Sequence, residues 1–304
     1  MISLVPTRNR NVATLAADLG RLAPTELSLL VEGETGTGKS FLAGRIHRRS
    51  RRARPLVVLD CAALAPGLLA SELYGHVAGA FTDATRARVG VFERAGSGTL
   101  VLDRIDALAV EVQAALLRVL EERRVYPVGA AAPRAFRARV IALVDAGLET
   151  ALAAGRFRRD LYHRLAGFHA VLPPLRQRPE DIVPFAHQVL RRRARVRGYP
   201  LGLHEEAERL LVAYPWPGNF RELATVLARC SLQVGEDVVA AHQLGLAESW
   251  RPVAELAAER ALSLVEVERL YGLWVLARHG GNVSRAARTL GISRRTLIRW
   301  RREA

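Results

Sequence analysis

A single lysine lies in the segment of the sequence with the clearest chemical meaning. Lys39 is the only lysine among 45 lysine and arginine residues, and it belongs to the segment GETGTGKS at positions 33–40. This segment fits the pattern G-x-x-x-x-G-K-[ST] of loops that bind nucleotide phosphates. A compact ammonium group fits between the β- and γ-phosphates, whereas a planar guanidinium group does not. Since the glycines and Ser40 also stand at the required spacing, the sequence predicts a nucleoside triphosphate site.

The predicted site combines a phosphate-binding loop with ligands for a magnesium ion. Backbone N–H groups of the loop and of the helix after it are suited to bind phosphate oxygens. The hydroxyl of Ser40 is predicted to bind Mg²⁺, and Asp103, which ends the apolar segment TLVLD, to hold this ion through water. An acidic residue that only ends a strand is the alternative for Asp103. The predicted cofactors are ATP and Mg²⁺, and the predicted phosphate-binding residues are Gly33, Glu34, Thr35, Gly36, Thr37, Gly38, Lys39 and Ser40.

The composition indicates a polyanionic partner and a reducing environment. The 304 residues include 45 basic and 30 acidic ones, for a net charge of +15. This excess favours nucleic acid as a partner, although an arginine-rich composition alone would also produce it. The two cysteines, Cys61 and Cys230, lie far apart without metal-ligand spacing, which is typical of a cytoplasmic protein. The sequence has neither a signal-peptide stretch nor an apolar run of about 18 residues, so no membrane partner is expected.

Short apolar segments alternate with amphipathic ones over the first half of the chain. The predicted strands are residues 27–31, 55–60, 99–103 and 139–144. This alternation predicts a parallel sheet that helices cover on both faces. Prolines in VLPPLRQRPED at residues 171–181 mark a boundary, after which helical periodicity continues to about residue 246. The segment after residue 252 is predicted to form three helices, with Gly291 between the last two.

Motifs in the same order along the chain resemble those of one protein family, the bacterial enhancer-binding proteins. These are AAA+ activators of sigma-54-dependent transcription, and the resemblance runs from about residue 4 to residue 302. The most specific motif is ELYGHVAGAFTDA at residues 72–84, which is similar to the family's surface loop that contacts the sigma factor. The further matching motifs are FRRDLYHRL at 157–165, LPPLRQRPEDI at 172–182 and WPGNFREL at 216–223.

The resemblance implies a fold class and a domain organisation. The implied class is α/β, with a P-loop AAA+ parallel sheet covered by helices on both faces, an all-α lid and a C-terminal helix-turn-helix domain. The implied boundaries are 1–172 for the AAA+ nucleotide-binding domain, 173–248 for the helical lid and 249–304 for a Fis-type DNA-binding domain. Family members usually carry an N-terminal regulatory domain, and the sequence predicts none before the AAA+ domain. Control is therefore expected to act in trans, unless the chain is a fragment or a minimal member.

Four positions of the implied active site differ from the family pattern. Arg104 follows Asp103 where the family has the glutamate that polarises the attacking water, and a guanidinium group cannot act as a base. Asp60 replaces an asparagine that contacts this glutamate, while Val144 and Asp145 replace a Thr-Asn pair that senses the γ-phosphate. The sequence therefore predicts ATP binding, with hydrolysis in doubt.

The replacements at positions 60 and 104 carry opposite charges. Both residues are expected at the carboxyl ends of neighbouring strands, so an ion pair between Asp60 and Arg104 is predicted in place of the Asn–Glu contact. The alternative is an Arg104 side chain that points to solvent. Asp106 and Asp145 are carboxylates that could replace the missing base in principle, but neither stands at the family's position for it.

The resemblance also assigns residues to contacts with other protein subunits. Arg158 and Arg164 match the arginines that the family inserts into a neighbour's nucleotide site, and Arg221 matches the lid arginine that reads the γ-phosphate. A site completed by a second protomer couples nucleotide binding to assembly, so a homo-oligomer or an AAA+ ring is implied. Asp83 replaces a glycine in the sigma-contact loop, which either keeps its function or has lost this contact. The implied loop residues are Gly79, Ala80, Phe81, Thr82, Asp83 and Ala84.

The segment GGNVSRAARTLGISRRTLIRW at residues 280–300 resembles the Fis-type helix-turn-helix of many enhancer-binding proteins. Asn282 or Ser284 is predicted to cap its first helix and Ser293 its recognition helix. Early residues of a recognition helix reach base edges in the major groove of double-stranded DNA. The predicted DNA-binding residues are Arg285, Arg294, Arg295, Thr296 and Arg299, with Arg288, Arg301 and Arg302 as further phosphate contacts. The apolar helix before this segment dimerises in the family, which implies a two-fold symmetric operator.

Two functions of different class remain open for this chain. In the first, it is a DNA-bound transcription regulator whose bound ATP controls assembly without turnover. In the second, it is an ATPase motor that remodels the sigma-54 RNA polymerase. The replacements at positions 60, 83, 104, 144 and 145 favour the first function, and the resemblance along the whole chain favours the second.

Overall fold

The computed structural model describes residues 6–50, 55–63, 66–80, 84, 86–198, 200–233, 238–246, 262–279 and 281–303. The chain divides into two compact units, residues 1–174 and residues 175–304. The second unit contains both the helical segments that follow residue 174 and the C-terminal helices. Among the helices of the described residues, none has the length and apolar character needed to span a lipid bilayer.

A five-stranded parallel sheet lies at the centre of the first unit. The strands of this unit are β1 (Leu29–Glu32), β2 (Leu56–Asp60), β3 (Gly75–His76), β4 (Arg88–Val89), β5 (Thr99–Asp103), β6 (Arg124–Val125), β7 (Arg134–Ala135), β8 (Arg139–Val144) and β9 (Phe168–Val171). The central sheet has the order β2–β5–β8–β1–β9, and its neighbouring strands all run parallel. The pairs β3–β4 and β6–β7 form two small antiparallel ribbons.

Helices and apolar side chains cover both faces of this sheet. The helices of the first unit are α1 (Arg10–Leu22), α2 (Lys39–Arg49), α3 (Pro66–Tyr74), α4 (Val91–Arg94), α5 (Val110–Glu122), α6 (Leu148–Ala153) and α7 (Arg159–Leu165). Side chains alternate along each strand, so Leu29 and Val31 of β1 enter one core cluster while Leu30 enters the other. Burial on both faces explains why the internal strands β1, β5 and β8 have continuous apolar sequences. The predicted α/β fold class is confirmed.

The sequence analysis missed one strand of the central sheet, the edge strand β9. Its four residues include His169 and the exposed Val171, and within the central sheet it pairs with β1 alone. Its sequence, FHAV, is interrupted by His169, so no continuous apolar run marks this strand. The predicted strands at 99–103 and 139–144 have the observed bounds, whereas β1 lies at Leu29–Glu32 rather than at 27–31.

The second unit is mainly helical and contains two apolar clusters. Its helices are α8 (Ile182–Arg197), α9 (Glu205–Ala213), α10 (Asn219–Gln233), α11 (Leu264–Arg278), α12 (Val283–Leu290) and α13 (Arg294–Glu303), and its short parallel strands are β10 (Gly202–Leu203) and β11 (Val238–Val239). One cluster joins α8, α9 and α10 around the buried Trp216. The other joins α11, α12 and α13 around the buried Leu297. Each group of three helices therefore has its own small core.

Candidate functional site

The glycine loop connects β1 to the N-terminus of α2. Gly36 and Gly38 have φ angles of 83° and 105°, which residues with a Cβ atom rarely adopt. A Cβ atom at Gly33 would lie 2.8 Å from the carbonyl oxygen of Leu172, so this position has no room for a side chain. The glycine spacing of the motif thus follows from the backbone path, which leads directly into the helix that begins at Lys39.

The Lys39 ammonium group lies inside this loop and has three acceptors. Its side chain is only 8 % exposed. The ammonium donates to the Gly33 carbonyl, to the Glu34 carbonyl at 3.3 Å and to Asp145 Oδ1 at 2.7 Å. Thr35 Oγ1 lies 3.4 Å from each carboxylate oxygen of Asp145. The sequence analysis placed Asp145 in the site but did not predict its ion pair with Lys39.

Ser40 and Asp103, the two candidate metal ligands, lie next to each other. Ser40 Oγ donates to Asp103 Oδ2 at 3.2 Å. Hydroxyl and carboxylate oxygens are ligands that Mg²⁺ accepts in proteins, usually together with water and substrate phosphates. Within the described part of the chain, no group of three or more His, Cys, Asp or Glu side chains could hold a metal ion. A metal ion at this place would therefore depend on the nucleotide phosphates and on water as well.

Arg104 and Asp60 form the ion pair that the sequence predicts. The register of β2 and β5 aligns Asp60 with Asp103, and Arg104 follows with φ 52° and ψ 47°, in the left-handed region. Arg104 Nε donates to Asp60 Oδ1 at 2.9 Å, and Arg104 Nη2 donates to Asp60 Oδ2. These hydrogen bonds from Arg104 hold the pKa of the Asp60 carboxyl below its usual value. The alternative, an Arg104 that points to solvent without a partner, is therefore wrong.

Asp106 is a further carboxyl group close to the end of β5. It lies in the 3-10 turn Ile105–Ala107, and its Oδ1 atom is buried with no hydrogen-bond partner among the described residues. Burial raises the pKa of this carboxyl, and the negative charge of Asp145 raises it further. Asp106 lies three residues beyond Asp103, and not at the position next to it where the family has its catalytic glutamate.

Glu32, a residue that the sequence analysis missed, positions the loop that contains Asp145. Glu32 ends β1, and its Oε1 accepts from the backbone N–H groups of Gly147 at 3.1 Å and Leu148 at 3.3 Å, at the start of α6. Its Oε2 lies 3.0 Å from His169 Nε2. A carboxylate at a helix N-terminus is favourable because it binds otherwise unpaired N–H groups. A polar residue directly before the glycine loop was the available sequence signal.

The arginines assigned to a neighbouring subunit have partners within their own unit. Arg158 forms two hydrogen bonds with Asp160, at 3.0 Å and 2.7 Å. Arg164 donates twice to the Leu120 carbonyl, at 3.2 Å and 2.6 Å. These described partners are not residues of the glycine loop. Arg221 lies on α10 in the second unit, where its side chain is exposed.

The structure describes the base of the implied sigma-contact loop. Gly79 has a φ angle of 81°, and its N–H donates to the Ala84 carbonyl at 2.8 Å, which brings the two ends of the loop together. The N–H of Ala80 donates to the Val77 carbonyl at 3.2 Å. The implied tip residues Phe81, Thr82 and Asp83 lie outside the described residues.

The two C-terminal helices have the caps and the turn expected of a helix-turn-helix. Asn282 Oδ1 accepts from the Arg285 N–H at 3.0 Å, so Asn282 rather than Ser284 caps α12. Gly291 turns the chain with a φ angle of 68°. Ser293 Oγ accepts from the Thr296 N–H at 3.0 Å at the start of α13.

The candidate DNA-binding side chains of these helices point away from their core. Leu297 is buried, whereas four of the five candidates are exposed and Thr296 is half-buried. The exposed candidates are Arg285, Arg294, Arg295 and Arg299. The Thr296 hydroxyl lies 2.8 Å from Ser293 Oγ, within the cap.

Family comparisons agree with this arrangement of elements along the chain. A model of the sigma-54 interaction domain matches residues 5–170, and a model of the AAA+ ATPase lid domain matches residues 176–249. A model described as bacterial regulatory protein, Fis family, matches residues 264–303. The chain belongs to the sigma-54-dependent transcriptional regulators. This membership confirms the family resemblance that the motifs indicated.

Curated relatives and solved structures are similar over most of this sigma-54-dependent regulator. The transcriptional regulatory protein ZraR of Klebsiella oxytoca is 43 % identical over 281 residues, which cover 91 % of this chain and 63 % of that protein. The regulatory protein AtoC of Escherichia coli K12 is 37 % identical over 303 residues, which cover 96 % of this chain and 66 % of that protein. The crystal structure of NtrX from Brucella abortus in complex with ADP has a TM-score of 0.74 at 31 % identity, covering 97 % and 68 % of the chains. The regulator thus spans about two thirds of the length of these proteins.

Proposed function

We propose that this sigma-54-dependent regulator binds ATP at the loop around Lys39 without efficient hydrolysis. The observation that carries the proposal is the two-bond contact between Arg104 and Asp60 at the end of β5. A guanidinium group bound to a carboxylate cannot accept the proton of an attacking water molecule. Loss of a general base typically lowers a catalytic rate by about 10²–10⁴-fold. Nucleotide binding then acts on assembly rather than through turnover.

Several contacts support the binding half of this proposal. The buried Lys39 and the glycine loop at residues 33–40 provide a cation and a helix N-terminus for phosphate oxygens. Ser40 and Asp103 are close enough to share a Mg²⁺ ion through water. Solved structures similar to this chain are titled NtrX in complex with ADP and in complex with ATP. Arg221 is the proposed lid contact to the γ-phosphate.

The second part of the proposal is binding to double-stranded DNA by α12 and α13. The recognition helix presents three exposed arginines, Arg294, Arg295 and Arg299, which are suited to bases and phosphates of a major groove. Arg285 on α12 is suited to a backbone phosphate. A dimer through α11 would place two such helix pairs on a two-fold symmetric operator.

ATP-driven remodelling of the sigma-54 RNA polymerase is the second candidate function. It is favoured by the relative described as the sigma54-dependent transcriptional activator SfnR of Pseudomonas putida, which is 45 % identical over 76 % of this chain and 64 % of that protein. The loop at residues 79–84 would then contact the sigma factor. Arg158 and Arg164 would act on the nucleotide of a neighbouring subunit in a ring, for which they must leave Asp160 and the Leu120 carbonyl.

One paired measurement separates the two functions. ATP affinity, by calorimetry, and steady-state phosphate release are determined on the same preparation in the presence of Mg²⁺. Tight binding with little release is the expected result, because the site has a phosphate-binding cation but no base beside Asp103. Lys39→Ala is the control, and it should lose nucleotide affinity. Turnover of about 1 s⁻¹ or faster, within the ordinary range for enzymes, would refute the role given to Arg104.

A further inference from the structure

The Lys39 ammonium group is already saturated by acceptors of its own chain. A lysine ammonium has three N–H donors and no acceptor. Its described partners are the Gly33 carbonyl, the Glu34 carbonyl and Asp145 Oδ1. The first two belong to the loop itself, so Asp145 is the one anionic partner among them. A phosphate group that binds Lys39 must share the ammonium with Asp145 or displace this carboxylate.

Asp145 is held in place from several sides. Its carboxylate lies within 3.4 Å of Thr35 Oγ1. The loop after Asp145 is attached to β1 through Glu32, which accepts from the N–H groups of Gly147 and Leu148. Rotation of the Asp145 side chain could displace the carboxylate from Lys39 without breaking the hydrogen bonds between Glu32 and this loop.

The surroundings of Asp145 are unfavourable for an additional anion. Burial raises the pKa of Asp106, and the negative charge of Asp145 raises it further. The other cation at this edge of the sheet, Arg104, is bound to Asp60. A new negative group beside Asp145 therefore meets carboxyl groups without an additional described cation to offset them.

We propose that the carboxylate of Asp145 takes the place of a γ-phosphate at Lys39, so that the site prefers a nucleoside diphosphate to a nucleoside triphosphate. This inference rests on the proposed nucleotide binding and specifies its ligand. A β-phosphate can bind the N–H groups of the glycine loop and share Lys39 while the ion pair with Asp145 persists. A γ-phosphate has to break this pair and then stay close to the displaced carboxylate, which costs affinity.

The test compares the affinities of ADP and of the non-hydrolysable analogue adenylyl imidodiphosphate, both with Mg²⁺, by calorimetry on the full chain. For the wild-type protein, ADP should bind at least about 10-fold more tightly. Asp145→Asn keeps the side-chain shape but removes the charge, and the two affinities should then differ by less than about 3-fold. Glu149 is an exposed residue in the first turn of α6. Glu149→Gln is the matched control, because it removes one negative charge close to Asp145 and should leave the ratio of the two nucleotide affinities unchanged.

Some results would overturn the diphosphate preference alone, and one would overturn the proposed nucleotide binding as well. Equal affinities, or tighter triphosphate binding by the wild-type protein, would refute the diphosphate preference while nucleotide binding itself stands. An unchanged ratio in Asp145→Asn would do the same, and circular dichroism of this variant checks that it is folded. Absence of binding by both nucleotides would refute the proposed function together with the inference.

Discussion

At the scale of residues, the candidate site is defined by two ion pairs at one edge of the sheet. Lys39 pairs with Asp145, and Arg104 pairs with Asp60. Lys39 and Arg104 therefore each have a carboxylate partner at or directly after the end of a strand. These pairs replace the neutral asparagine contacts that the family pattern implies. Among the described residues, the site thus has a cation suited to a phosphate, whereas the position after Asp103 holds Arg104 rather than a base.

Restoration of the family residues at positions 60 and 104 should restore hydrolysis. Arg104→Glu together with Asp60→Asn supplies a carboxylate that can polarise water and removes the carboxylate that would repel it. Phosphate release should rise at least about 10-fold over the wild-type protein. Asp60→Asn alone is the matched control, and it should not raise release because Arg104 still cannot accept a proton. An unchanged rate in the double variant would assign the defect to Val144 and Asp145 instead.

At the scale of elements, the parallel register of the sheet decides which side chains meet. β2 and β5 align Asp60 with Asp103, and β1 and β8 align Glu32 with Val144. Since all of these strands run parallel, the side chains at their carboxyl ends lie together at one edge of the sheet. Ligands of open α/β sheets bind at this edge. The helix α2 begins at the same edge, directly after the glycine loop.

The joint between α1 and the sheet depends on one buried arginine. Arg139, at the start of β8, is 1 % exposed and donates to the carbonyls of Leu22, Ala23 and Leu27. These carbonyls lie at and just beyond the end of α1, where intrahelical donors are missing. The guanidinium group therefore donates to three carbonyls, of which the hydrogen bond to Ala23 is buried, and attaches α1 to β8.

Arg139→Met should destabilise the protein because it removes the donor to the carbonyls of Ala23 and Leu27, whereas Leu22 keeps its hydrogen bonds from Thr25. The free energy of unfolding, measured by urea denaturation, should fall by about 1–3 kcal/mol. Arg137→Met is the matched control, since Arg137 is exposed, and its effect should stay within about 0.5 kcal/mol. A loss in Arg139→Met no larger than that of the control would show that the buried hydrogen bonds contribute little.

At the scale of the whole molecule, the positive charge is concentrated in part on the C-terminal helices. The net charge of the chain is +15, and residues 279–304 contain seven arginines and one acidic residue. One of these arginines, Arg301, contacts helix α9. Its side chain lies 3.1 Å from Glu206, and its backbone carbonyl accepts a hydrogen bond from Arg209. Arg301 is therefore a weaker candidate for a phosphate contact than Arg285.

Two substitutions should separate base contacts from phosphate contacts in DNA binding. Arg295→Ala should weaken binding to the operator by about 1–3 kcal/mol and leave binding to unrelated DNA nearly unchanged. Arg285→Ala should weaken both and should reduce the slope of log K against log salt by about 0.9. Fluorescence anisotropy across a salt series measures both quantities. Equal losses on operator and unrelated DNA in Arg295→Ala would remove this residue from the base contacts.

Much of the fold could be predicted because its signals are local. Continuous apolar runs identified the internal strands β5 and β8, and the glycine motif identified the start of α2. The features that the sequence analysis missed or left open were those without a local sequence signal. β9 has no continuous apolar run because His169 interrupts it, and Glu32 looks like any polar residue at a strand end. The choice between Asn282 and Ser284 as a cap also needed the observed hydrogen bond.

The sequence by itself determined the chemistry that this site can offer. Lys39 can hold a phosphate and Arg104 cannot accept a proton, and both statements follow from residue type alone. Only the tertiary structure decided how these charges are paired. Lys39 and Asp145 are 106 positions apart, yet β1 and β8 bring them to 2.7 Å. The reason is physical, because the energy of an ion pair depends on distance through space, which sheet packing determines.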